Sequence, residues 1–167
     1  MNFFIQGIGI IGMAMCVLCF HSRRQKNVLL IKLGADIAWT THYFLLGAFA
    51  GGATNAICCI RECVYLIEKN EKRRYVWLAL FIALNWICAA ARWKGIESMI
   101  PAFVSTLGAY SFWQKNIKVT RGLGIINGIL MFTYDIFAKS YIGMISESFT
   151  ILSASLALLR TKKNLNI

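Results

Sequence analysis

Few residues in this chain are equipped for chemistry, and they are charged or amide side chains set inside long apolar runs. Asp36, His42, Arg61, Glu62, Asp135 and Glu147 all stand in such runs, with Asn55, Asn85 and Asn127 nearby. An ionisable side chain at the centre of a membrane-embedded helix costs about 2.5–3.5 kcal/mol on insertion scales. Each therefore has a functional reading, against a structural one in which it pairs with a neighbouring helix. Asp36 and Arg61 lie about 12 Å and about 9 Å from the same end of their segments at the helix rise. They are candidates for a buried ion pair, and Glu62 points about 100° away from Arg61. His42 is either hydrogen-bonded to a neighbouring helix or a proton carrier, since its ordinary pKa lies near ~6.5. Asp135, close to the end of its run, is either solvated or a proton or substrate contact. Glu147 either exchanges protons or is tied to Ser148 or Asn127. Trp39 and Trp86 lie deep in their segments, where core packing is the plainer reading and stacking on a ligand the alternative.

The usual signatures of catalysis are missing. The chain has no HExxH, no GxSxG and no Walker lysine loop. Gly7-Ile8-Gly9-Ile10-Ile11-Gly12 fits a nucleotide fingerprint, but it falls inside an apolar run with no strand before it. Six cysteines (Cys16, Cys19, Cys58, Cys59, Cys63, Cys88) lie in apolar segments and read as small apolar residues rather than metal ligands. No enzyme, no cofactor and no metal site is expected.

The elements that hold these residues follow from composition. Of the 167 residues, 58% are hydrophobic and 15% charged, with one proline. An ordinary soluble domain is about 45–50% apolar and about 25% charged, and one of this size could not hide the surplus. A polytopic all-α membrane protein is expected, with spans at 3–20, 28–48, 52–67, 75–91, 98–113, 122–138 and 141–159. The net charge of +11 comes from cations in short clusters between the runs. These are Arg23, Arg24 and Lys26; Lys69, Lys72, Arg73 and Arg74; Lys115, Lys118 and Arg121; and Arg160, Lys162 and Lys163. Such clustering fits loops resting on anionic lipid rather than a nucleic-acid-binding face, so no nucleic acid is expected as a partner. With the N-terminus outside, counting Lys32, 14 Lys and Arg fall on the inner side. Arg92, Lys94 and Lys139 fall on the outer side, and Arg61 lies within a span. The positive-inside rule then places the C-terminus in the cytoplasm.

The loop rhythm repeats. A shift of 92 residues brings Phe20 onto Phe112, Lys26 onto Lys118, Thr41 onto Thr133, Gly51 onto Gly143 and Leu66 onto Leu158. It also brings Asn55 onto Glu147. Three spans at each end need one linker helix for the second set to run in the same direction as the first. The expected division is 1–74, a first triple-helix bundle; 75–97, a linker helix; and 98–167, a second triple-helix bundle with a basic tail.

This 3+1+3 order resembles the SWEET/PQ-loop topology, in which two parallel triple-helix bundles are joined by a linker helix. In that family an asparagine pair faces the central path, so the resemblance implies that Asn55 and Glu147 line it, with His42 and Asp135 as further pathway candidates. It also implies a hinge proline in each bundle. Pro101 supplies one, while Gly9 stands at the matching position in the first half and no Pro-Gln dipeptide occurs. The segments His42-Tyr43-Phe44-Leu45-Leu46-Gly47 and Tyr141-Ile142-Gly143-Met144-Ile145-Ser146-Glu147-Ser148 resemble the YgjV-type family of bacterial inner-membrane proteins. That likeness implies a multi-pass protein of the bacterial cytoplasmic membrane. Two expectations stand side by side. One is a transporter that moves a small-molecule solute by alternating access between the bundles. The other is a membrane interaction or assembly protein whose buried polar groups are structural. The bilayer is a partner in both, and self-association into a homo-oligomer stays open.

Overall fold

In the computed structural model, the described residues are 3–47, 49–91, 99–137 and 141–163. They form seven α-helices: α1 (Phe3–Cys19), α2 (Gln25–Leu45), α3 (Phe49–Ile67), α4 (Glu71–Ala91), α5 (Met99–Trp113), α6 (Ile117–Phe137) and α7 (Tyr141–Lys163). No strand occurs among the described residues. Every expected apolar segment is a helix, and the largest differences are at the polar ends. Hydropathy stops where charge begins, whereas a helix stops where its backbone groups find caps. Asn70 Oδ1 accepts the backbone N–H of Lys72 at 3.0 Å and that of Arg73 at 3.4 Å, which starts α4 at Glu71. Asn116 Oδ1 accepts the N–H of Lys118 at 3.0 Å and starts α6. An asparagine cap stabilises a helix start by about 1 kcal/mol. At the other end of α2, Gly47 takes φ 73°, and its N–H donates to the Phe44 carbonyl at 3.0 Å. That left-handed position suits glycine and closes the helix.

The chain forms two compact units, Met1–Glu68 and Lys69–Ile167. In the first, α2 packs against both α1 and α3. Glycines set the α1–α2 approach: a Cβ on Gly9 would stand 3.0 Å from the His42 imidazole, and one on Gly12 3.2 Å from the Trp39 indole. In the second unit α6 packs against α5 and α7, and α5 also packs against α4. Trp86 of α4 belongs to that packing. Its indole N–H donates to Thr106 Oγ1 at 3.1 Å, and its ring meets Phe103 edge-on.

The 92-residue shift reappears in the helices. α2 and α6 both begin and end 92 residues apart, and so do the starts of α3 and α7. Val28 and Thr120, Leu29 and Arg121, and Asp36 and Gly128 are buried at matching positions. Thr41 Oγ1 donates to the Ile37 carbonyl, and Thr133 Oγ1 to the Ile129 carbonyl, each at 2.9 Å.

Beside a small apolar core that includes Val28, Leu29 and Phe81, many large apolar side chains are exposed and several charged ones are buried. Ile10, Ile11, Leu18, Ile60, Ile87, Ile136 and Phe149 are exposed, while Asp36, Arg61, Glu62, Thr120 and Arg121 are buried. Among the described residues one helix, Glu71–Ala91, is by length and composition long and apolar enough to cross a membrane, and Phe3–Cys19 is a shorter apolar helix.

Candidate functional sites

Each unit carries its own buried polar groups. In the first, His42 sits in the last turn of α2, 7% exposed, with its ring against Gly9. Its Nδ1 lies 2.8 Å from the Ile5 carbonyl of α1. A carbonyl only accepts, so Nδ1 carries the proton and Nε2 is the nitrogen left for other chemistry. Trp39 and Tyr43 flank the ring. Asn55, on α3, is half-buried.

Deeper in the first unit four charged side chains gather. The expected Asp36–Arg61 ion pair is replaced by two others. Asp36 pairs with Lys32, one turn earlier on α2. Arg61 pairs with its neighbour Glu62, its Nη2 2.7 Å and its Nε 3.2 Å from the same carboxylate oxygen, Oε1. The reason is local: a lysine four residues before an aspartate on one helix face meets it without help from tertiary structure. The two pairs are close enough for Asp36 to act on Arg61 and for Lys32 to act on Glu62. Asp36 is 1% and Glu62 0% exposed, and among the described residues their second oxygens, Oδ2 and Oε2, have no hydrogen-bond partner.

In the second unit, Asp135 is buried near the end of α6 rather than solvated, at 7% exposed. Gly128, two turns earlier on the same face, would put a Cβ 3.7 Å from the Glu147 carbonyl of α7. Helical side chains lean toward the N-terminus of their own helix, which carries the Glu147 carboxylate toward the level of Asp135. Asp135 lies within electrostatic reach of Glu147. Among the described residues no hydrogen bond or cation reaches either. Of the partners expected for Glu147, Ser148 is bonded elsewhere, and Asn127 Oδ1 is buried without a hydrogen bond among the described residues. Ser148 Oγ donates to the Met144 carbonyl at 2.8 Å, and the Asn127 amide faces Gly108 of α5.

Pro101 stands in the first turn of the described part of α5, Met99–Trp113. A proline kinks a helix by removing an interior hydrogen bond, and a first-turn N–H has none to lose. Among the outer cations, Arg92, Lys94 and Lys139 lie outside the described residues.

Two loop cations expected on the lipid surface are structural instead. Arg74, 8% exposed, donates from Nη2 to the Trp113 carbonyl at the end of α5. Arg121, 5% exposed, donates from Nη1 to the Ala157 carbonyl of α7 at 3.0 Å. Nothing local marks them, because their acceptors lie far along the chain. Between them Gln114 Nε2 donates to the Ser111 carbonyl at 2.8 Å and to Thr120 Oγ1 at 2.6 Å, fastening the α5–α6 turn. On the surface, Lys115 bonds Glu71 and holds its carboxyl below the ordinary range.

A family model described as Imp-YgjV, bacterial inner membrane protein, matches residues 3–164. No curated protein matches the chain. No solved structure matches it either.

Proposed function

Because this chain belongs to the Imp-YgjV family of bacterial inner membrane proteins, we propose that it crosses the cytoplasmic membrane seven times and moves a small solute by alternating access of two three-helix bundles. In this reading the N-terminus lies outside and the C-terminus in the cytoplasm, as the cation clusters suggest. The exposed isoleucines, leucines and phenylalanines meet lipid tails, and the matching boundaries of α2 with α6 support a like-oriented repeat.

One observation carries the transport reading. Asp135 is buried and lies within electrostatic reach of Glu147, and no cation or donor reaches either among the described residues. A carboxylate kept for stability is paired or hydrogen-bonded. Two without such partners are suited to a transient one, a solute or a proton. Asn55 and His42 are the first unit's pathway residues in this reading. A membrane assembly protein is the competing view, and the apolar outer faces suit it equally well. The paired carboxylates do not.

Side-selective thiol labelling tests the proposal. Single cysteines at positions 55 and 147, in a background without the native cysteines, are expected to react with a polar reagent in inverted and in right-side-out vesicles. Protection of both from both sides would leave the assembly reading in possession.

A further inference from the structure

The four-charge group of the first unit has a property that neither reading uses. Each of its two ion pairs, Lys32 with Asp36 and Arg61 with Glu62, lies within a single helix. Neither pair therefore fastens α2 to α3. Both nitrogens of Arg61 converge on one oxygen of Glu62, where a fork-on-fork pair would use two. Glu62 Oε2 is left empty, and so is Asp36 Oδ2, and both are buried.

The register of the two helices is fixed by Thr40 Oγ1, 3.8 Å from Cys59 Sγ. Counted from that contact along antiparallel helices, Asp36 and Arg61 differ in height by about 3 Å. Arg61 is long enough to cover that offset, and Asp36 already acts on it. The charged and titratable groups facing this point include Lys32 and Asp36 from α2, Arg61, Cys58 and Cys59 from α3, and Cys16 and Cys19 from α1.

We propose that Glu62 is a proton-binding site, and that its occupancy moves Arg61 from the in-helix pair with Glu62 to a between-helix pair with Asp36. The ligand follows from the burial. A metal ion or an organic amine needs room, and Glu62 is 0% exposed. A proton needs only an unused oxygen. The proton comes from bulk water, reached beside Lys32, whose side chain is 18% exposed. It forms an O–H bond at Oε2 and returns to water by the same route. A neutral Glu62 no longer holds the guanidinium electrostatically, while Asp36 Oδ2 stays anionic with an open acceptor site. Arg61 then ties α3 to α2. The site uses neither Asn55 nor His42 and does not rest on transport.

The test is a pH titration of the full-length protein in lipid nanodiscs, followed by infrared difference spectroscopy in the protonated-carboxyl band. The wild type gains one such band on acidification that is unchanged in Asp135→Asn and Glu147→Gln. Glu62→Gln abolishes it. Asp36→Asn keeps it but moves its midpoint down by about 1 pH unit, a tenfold loss of proton affinity, because the neighbouring anion is gone. If Glu62→Gln does not fold, Glu62→Asp decides, since it keeps a carboxyl and must shift the band's frequency. A band that survives Glu62→Gln, ignores Glu62→Asp, disappears in Asp36→Asn or keeps its midpoint there overturns the assignment, as does a wild type without it.

Discussion

Arg74 and Trp113 each donate a hydrogen bond to the other's backbone carbonyl. The guanidinium reaches the Trp113 oxygen, the indole Nε1 lies 3.1 Å from the Arg74 oxygen, and the guanidinium stands 5.9 Å from the indole ring centre. The start of α4 thus closes the end of α5 with a positive charge, where the helix dipole favours one. Arg74→Ala is expected to lower stability by roughly 1.5–3 kcal/mol, the range for hydrogen bonds to a charged group. Trp113→Phe, which loses only the indole donor and some ring area, should cost about 1 kcal/mol. Thermal unfolding in detergent reads both. An Arg74→Ala protein that melts with the wild type would reduce the contact to decoration.

The α1–α2 seam offers a comparison within one helix. A Cβ on Gly7 meets nothing within 4 Å, whereas a Cβ on Gly9 meets the His42 imidazole at 3.0 Å. Gly7→Ala is expected to stabilise by about 0.5–1 kcal/mol through helix propensity alone. Gly9→Ala forfeits that gain by pushing His42 off the Ile5 carbonyl, and should destabilise by about 1 kcal/mol. Equal melting temperatures for the two variants would show that the seam is loose.

Helices and their order were legible because hydropathy reports runs of apolar residues directly. Their ends were not, since Asn70 and Asn116 act as caps only once the backbone turns there. The burial of Asp36 and Arg61 was legible as well, being set by their position in apolar runs. Their partners are less legible, because Lys32 reads as one more loop cation, though its spacing of four from Asp36 puts the two on one helix face. Arg74 and Arg121 could not be told from their lipid-facing neighbours. Each acceptor is a backbone carbonyl more than 30 residues away, 39 for Arg74 and 36 for Arg121.

Glu71 supplies a pH dependence of known sign. Its hydrogen bond from Lys115 depresses the folded pKa below the unfolded value. A depressed carboxyl contributes stability above its unfolded pKa and loses it as pH falls through the folded one. The melting difference between wild type and Glu71→Gln should therefore be present at neutral pH and close as the solution is acidified past that point. A difference that widens with acid would contradict the pairing.

The topology is exposed to a simple measurement. Reporter enzymes that work on only one side of the membrane, fused to either end, should report opposite faces. Replacing Arg23, Arg24 and Lys26 with neutral residues should weaken that preference, since in the proposed topology these cations anchor the first inner loop. Both ends on one face would remove the odd number of crossings, and with it the like-oriented repeat.

Asp135 and Glu147 separate use from structure most sharply. A buried carboxylate with a hydrogen-bonded partner makes its removal costly, about 3–5 kcal/mol for a broken pair. Neither carboxylate has such a partner among the described residues, so nothing is orphaned when one is neutralised, and a desolvation penalty is relieved. Asp135→Asn and Glu147→Gln are therefore expected to leave thermal stability unchanged or to raise it by about 1 kcal/mol. Any solute that stabilises the wild type in a ligand screen should stabilise these variants much less, because stabilisation by mass action follows affinity. Loss of stability in both, with undiminished response to the solute, would mean that the pair holds the second unit together and that the transport path lies elsewhere.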